Sequence, residues 1–236
     1  MSRVTARRAG IAVALAAVVA AGLVAAQAGA QGSAAAEAAC LDRSESPDPW
    51  LLPIALHLWA GEARRVLILA ASGRVGKTVI FTGAIGPDSY RNFTLFPPIV
   101  IPAFPAKPSN PFAGKNDYET RRAAILRGVR SKVAALERLD PERMLGTDLL
   151  GCILKASELG VDRLFVATDL QPYGPQQSLQ GLDLHNVRVS LLFDCLSDNA
   201  AKCRDRSDAM VATFRRAGAT VHLIDPAEVN TIHAPF

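Results

Sequence analysis

Asp42, Ser44 and Ser46 stand at alternate positions of the stretch Asp42-Arg43-Ser44-Glu45-Ser46. One tight loop can turn a carboxylate and two hydroxyls spaced in this way toward a common point. Hard oxygen donors suit a small, hard divalent cation, Mg²⁺ or Mn²⁺, which takes oxygen ligands in octahedral geometry and usually keeps some water. The sequence offers no competing cluster of soft ligands. The same residue types also make Asx turns and helix caps in ordinary solvated loops, so the choice between a metal site and a polar loop rests on what else converges there.

Two further donors come from elements later in the chain. Gly146-Thr147-Asp148 opens a helix whose Leu149, Leu150, Ile153 and Leu154 are apolar and which ends near Gly160. Thr147 therefore sits at a helix N-terminus, either as the N-cap or as an oxygen donor aimed into a shared site. Arg163-Leu164-Phe165-Val166-Ala167-Thr168-Asp169 reads as a buried strand ending in a carboxylate. Ligands of open α/β sheets bind beyond the carboxyl ends of the strands, and Asp42 and Asp169 each follow a predicted strand at that end.

The positioning elements alternate. A short strand, Ala38-Ala39-Cys40-Leu41, enters the Asp42 loop. Pro47 and Pro49 delay a helix until about residue 50, and Trp50 to about Gly61 is apolar and helical, with Pro53 tolerated in its first turn. His57, inside that run, reads as a packed core residue. Arg65–Ala70 and Lys77–Thr82 read as strands joined by a hairpin turn at Ser72-Gly73-Arg74-Val75-Gly76. The segment from Gly86 to Gly114 is proline-rich, with 91–115 as an insertion. Tyr118–Leu139 is an amphipathic helix with Ile125, Val129, Val133 and Leu136 on one face. Val187–Phe193 is a strand, Asp198–Gly218 contains a helix with Met210, Val211 and Phe214 inward, and Val221–Ile224 is the last strand. Strands alternating with helices give an α/β domain with a mainly parallel sheet and helices on both faces.

With 236 residues the chain supports one domain with a sizeable core. Residues 1–30 read as a secretory signal or an uncleaved N-terminal anchor: Arg3, Arg7 and Arg8 precede an uncharged run from Ala9 to Ala26, and Ala28-Gly29-Ala30 supplies small residues for cleavage. Residues 31–37 follow as a linker, 38–226 as the domain and 227–236 as a tail. The domain is expected outside the cytoplasm, and any membrane contact is expected through the N-terminal segment alone. Without Arg3, Arg7 and Arg8, 23 Lys and Arg face 22 Asp and Glu, a net charge of +1. This balance argues against nucleic acid as a partner, which requires a basic face. Cys40, Cys152, Cys195 and Cys203 allow three complete disulfide pairings in an oxidising compartment. Cys195 with Cys203 closes the shortest loop and is the first expectation, beside buried free thiols.

Asp42-x-Ser44-x-Ser46, then Thr147, then Asp169, in that order and on those elements, resembles a von Willebrand factor A-type domain with a metal-ion-dependent adhesion site. The resemblance covers about residues 38–226. Glu45 stands where the family often has Gly, and Leu170 follows Asp169 where Gly is usual. The resemblance implies a three-layer, Rossmann-like fold, mainly parallel with one antiparallel edge strand. It implies that Ser44 and Ser46 hold Mg²⁺ or Mn²⁺ directly, Thr147 directly or through water, and Asp42 and Asp169 mostly through water or hydrogen bonds. An ion with few anionic protein ligands stays electrophilic. The implied partner is then a protein offering a carboxylate, and the implied function is metal-bridged binding without catalysis.

Three alternatives accompany this reading. Metal-assisted hydrolysis has no evident base, because His57, His185, His222 and His233 fit no nucleophile-and-base spacing. A nucleotide-binding module could use Ala71-Ser72-Gly73-Arg74-Val75-Gly76-Lys77-Thr78, a relaxed phosphate-loop pattern that requires a helix starting at Lys77-Thr78. The third alternative is a metal-free scaffold of an envelope complex.

Overall fold

The computed structural model describes residues 35–45, 47, 49–109, 115–169, 182–194 and 200–224. The expected signal segment, Ser46, Cys195 and the tail lie outside these residues. Among the described residues six strands form one sheet: β1 (Ala35–Asp42), β2 (Thr78–Ile85), β3 (Thr94–Ile101), β4 (Arg163–Thr168), β5 (Arg188–Phe193) and β6 (Thr220–Ile224). Their order is β3-β2-β1-β4-β5-β6. All neighbours are parallel except β2 and β3, so β3 is an antiparallel edge. Among the described residues four helices, α1 (Leu51–Ala71), α2 (Lys115–Glu137), α3 (Leu149–Glu158) and α4 (Ala200–Arg216), complete a three-layer α/β fold.

Alternation along the central strand sorts the helices. Ala39 and Leu41 of β1 join Phe165 of β4 in the cluster that packs on α1 and α2. Ala38 and Cys40 face the opposite layer with Cys152 of α3 and Phe214 of α4. A parallel strand covered on both faces has no polar side, which is why the stretch Ala38–Leu41 of β1 contains no polar residue. Its alanines leave room for large neighbours: Trp59 of α1 is fully buried, stacks on Phe165 at 6.1 Å and donates its Nε1 hydrogen to Thr82 Oγ1 at 3.1 Å.

α1 corrects the expectation of a strand at Arg65–Ala70, since those residues are its last turns. Leu52, Ala55, Leu56, Trp59, Ala63, Val66, Leu67 and Ala70 are all buried, spaced as one helical stripe that runs through Gly61. Gly61 costs about 1 kcal/mol relative to alanine, less than the burial of Val66 and Leu67 returns at roughly 1.5–3 kcal/mol each. His57 is likewise corrected. It is exposed on α1 and pairs with Glu137 of α2 at 2.8 Å. The proline-rich insertion contains β3, which opposes Pro97 and Pro98 to a register shift in β2 around Phe81. Residues without an N–H are tolerated at an edge or bulge.

The phosphate-loop pattern belongs to the turn between α1 and β2, not to a strand-to-helix loop or a hairpin. Gly73 takes φ +73° there and Thr78 already lies in β2. No helix starts at Lys77, so the amides a phosphate would need are absent from that position.

Candidate functional site at the carboxyl ends of β1 and β4

The strand order reverses between β1 and β4, the crevice where ligands of doubly wound sheets bind. Asp42 is the last residue of β1, and Asp169 follows the last residue of β4. Both are all but removed from solvent, as is Ser44. Asp42 Oδ1 accepts from the Ser44 N–H at 2.9 Å and from the Ser44 hydroxyl at 2.6 Å. Its Oδ2 accepts from Thr168 Oγ1 at 2.7 Å. These donors hold the carboxylate rigidly and favour its ionised form. Burial nevertheless outweighs them and, with the Asp169 charge nearby, raises Asp42 to about 6.

The loop after β1 lies against the segment that leads into α3. Arg43 donates its N–H to Ile85 O at 3.1 Å, and its own carbonyl accepts from Met144 N at 3.0 Å. Ser44 bridges to Met144 in parallel, and Arg143 donates to Pro47 O at 3.1 Å. Gly146, at φ +100° beside Pro87, turns this segment so that Asp148 N reaches Gly86 O at 3.0 Å. That φ is open to glycine and costly for residues with a Cβ.

Asp148, not Thr147, is the N-cap of α3. Its Oδ1 accepts from Gly151 N at 2.8 Å and its Oδ2 from Ser89 N at 2.8 Å. A Cβ on Gly151 would come within 2.0 Å of the capping carboxylate and 2.7 Å of Tyr90 N, so the cap demands glycine there. With capping assigned to Asp148, Thr147 Oγ1 is buried and has no hydrogen-bond partner among the described residues. Leaving a buried hydroxyl unpaired costs roughly 1–3 kcal/mol, which makes this atom an available donor to an ion.

The disulfide joins Cys40, two residues before Asp42, to Cys152 in the second turn of α3. It ties the strand that carries Asp42 to the helix that follows Thr147. Cys203 is also disulfide-bonded, and Cys195, its expected partner, lies outside the described residues.

The donors fit the implied cation in type, since Ser44, Thr147, Asp42 and Asp169 offer oxygen alone. Among the described residues no three His, Cys, Asp or Glu side chains cluster as metal ligands, so an ion here would depend on hydroxyls. Sequence reasoning missed Thr168, which steadies Asp42, and Asp194, a buried carboxylate just beyond β5 whose N–H reaches Thr168 O at 3.2 Å. The signal for both was a polar residue at the end of an apolar strand. The chain matches no protein-family model, and no curated protein matches it.

Proposed function

We propose that this is an exported A-type domain that binds Mg²⁺ or Mn²⁺ through Asp42, Ser44, Ser46, Thr147 and Asp169. Through that ion it captures an acidic side chain of a protein partner, without catalysis. The observation that carries the reading is the convergence of two buried carboxylates and the fixed Ser44 hydroxyl at the β1/β4 switch point. Two carboxylates held together in a water-poor site favour a cation between them. Ser44 donates its hydroxyl proton to Asp42, so Asp42 orients that hydroxyl oxygen rather than standing free to ligate. When bound, the ion would supply an electrophilic position for the partner's carboxylate. Leu145, 74% exposed and two residues from Thr147, adds an apolar contact surface at the rim. The disulfide supports an oxidising, extracytoplasmic location. Among the described residues no helix is long and apolar enough to cross a membrane.

Calorimetric titration of the chain with Mg²⁺ and with Mn²⁺ tests the proposal. Saturable binding that disappears in folded Asp42→Ala and Ser44→Ala variants is expected; a folded wild type that takes up neither ion refutes the metal-bridged reading. The metal-free scaffold is then the alternative. It is favoured by the three hydrogen bonds that already satisfy Asp42 from within the protein.

A further inference from the structure

A second polar cluster lies at the opposite pole, where the strands begin. Glu62 of α1 is fully buried and accepts Arg65 Nε at 2.7 and 2.8 Å and Arg163 Nη1 at 3.2 Å. Glu37 of β1 is 6% exposed, and its Oε1 stands 3.9 Å from Arg65 Nη2 and 3.8 Å from Arg163 Nε. Those separations are longer than hydrogen bonds. The other oxygen, Oε2, is buried with no hydrogen-bond partner among the described residues. Burial first, and then the Glu62 charge, raise Glu37 to about 7.

A cavity of about 350 Å³ opens beside this cluster. Its lining includes Glu37, Arg65, Arg163 and Arg188, the half-buried apolar Leu69 and Val75, and the exposed Asp162. Arg188 forms no ion pair among the described residues. We propose that this cavity binds a small organic carboxylate, its carboxylate bridging Arg163 and Arg188 and its short aliphatic body resting on Leu69 and Val75.

Several features favour that ligand class. Glu62 holds the guanidiniums of Arg65 and Arg163 in place before any ligand arrives, which lowers the ordering cost of binding. Guanidinium groups match a carboxylate in a bidentate arrangement. A cationic ligand would meet three arginines. In its protonated form Glu37 hydrogen-bonds Glu62 and adds no charge that would repel a carboxylate ligand. The apolar part of the lining distinguishes an organic acid from a bare inorganic anion, which would leave Leu69 and Val75 wet.

The test is a titration of the full chain, freed of divalent cations on a chelating resin, with isovalerate and separately with inorganic phosphate. Backbone amide resonances report the binding. Saturable isovalerate shifts confined to residues around Glu37, Arg163 and Arg188 are expected, tighter than phosphate and weakened about tenfold or more by Arg188→Gln. No saturation with isovalerate, tighter binding of phosphate, or unchanged affinity in a folded Arg188→Gln protein overturns the inference. The wild-type titration decides it even where a variant fails to fold.

Discussion

Thr168 Oγ1 donates a 2.7 Å hydrogen bond to Asp42 Oδ2, joining the ends of two neighbouring parallel strands whose residues lie 126 positions apart in sequence. The bond steadies a carboxylate that burial otherwise pushes toward its protonated form. Thr168→Val keeps the side-chain shape and deletes the donor. It is expected to cost about 1–3 kcal/mol in denaturant unfolding, the penalty for weakening a bond to a buried charged group. If the proposed ion binds, its calorimetric affinity falls several-fold as Asp42 loses orientation. Thr168→Ser should restore both. A Thr168→Val protein as stable as wild type would mean that the bond contributes nothing.

Thr147 and Asp148 are adjacent and have opposite expected phenotypes. Asp148→Ala leaves the N–H groups of Ser89 and Gly151 without their shared acceptor. It should destabilise the protein by about 1–2 kcal/mol, as the loss of an N-cap does. Thr147→Val removes a buried hydroxyl that has no partner among the described residues, so stability should hold or rise slightly while Mg²⁺ binding is lost. A Thr147→Val protein that unfolds early would place that hydroxyl in the structure rather than in a metal site. Paired thermal melts and titrations of the two variants separate these roles.

The alternation of strands and helices was legible because buried strands such as Leu164–Ala167 are short apolar runs with clear breaks. Arg65–Ala70 was misread because an apolar run of six residues carries no period that separates a strand from the end of a helix. Only the preceding buried stripe, continued across Gly61, identifies it as helix. His57 was misjudged for a related reason: on a helix so apolar, its exposure follows from its angle and from the Glu137 partner on α2, 80 residues away. In the candidate site, the carboxyl-end placement of Asp42 and Asp169 followed from pattern. The cap did not, because Thr147 and Asp148 are both competent caps and the choice depends on Ser89 and Gly151. The pairing of Cys40 with Cys152 was equally hidden, since it depends on which face of β1 meets α3, and loop length favours nearer cysteines.

Glu37 carries a pH dependence whose sign is fixed by the direction of its shift. Its carboxyl is raised from 4.5 to about 7 in the folded protein, facing Glu62 and Arg65 of α1 and Arg163 of β4. The folded state therefore binds a proton that the unfolded chain has released between those values. Stability from this group is greatest below about 4.5 and declines as pH rises toward 7, by up to ~3 kcal/mol. Glu37→Gln, which cannot ionise, should lack that decline. The measurement is the difference in unfolding free energy between wild type and variant from pH 4.5 to 8. A difference that stays flat would mean that Glu37 is charged throughout, held so by Arg65 and Arg163.

The Cys40–Cys152 bond closes a loop of 112 residues, which includes α1, β2, β3 and α2. A cross-link over so long a loop removes much of the unfolded chain's freedom, worth about 4–5 kcal/mol in the chain-entropy model. Its position adds a local effect, because Cys40 and Cys152 bracket the two elements that must hold Asp42 and Thr147 in register. The double variant Cys40→Ala, Cys152→Ala should therefore lose several kcal/mol in chemical denaturation. Where it still folds, it should bind Mg²⁺ more weakly than wild type by more than Thr168→Val does, since the whole α3 terminus is released rather than one carboxylate oxygen. Equal affinity in the folded double variant would show that β1 and α3 are positioned by the packing of Ile85, Ile153 and their apolar neighbours alone. The disulfide would then act on the unfolded chain and not on the site.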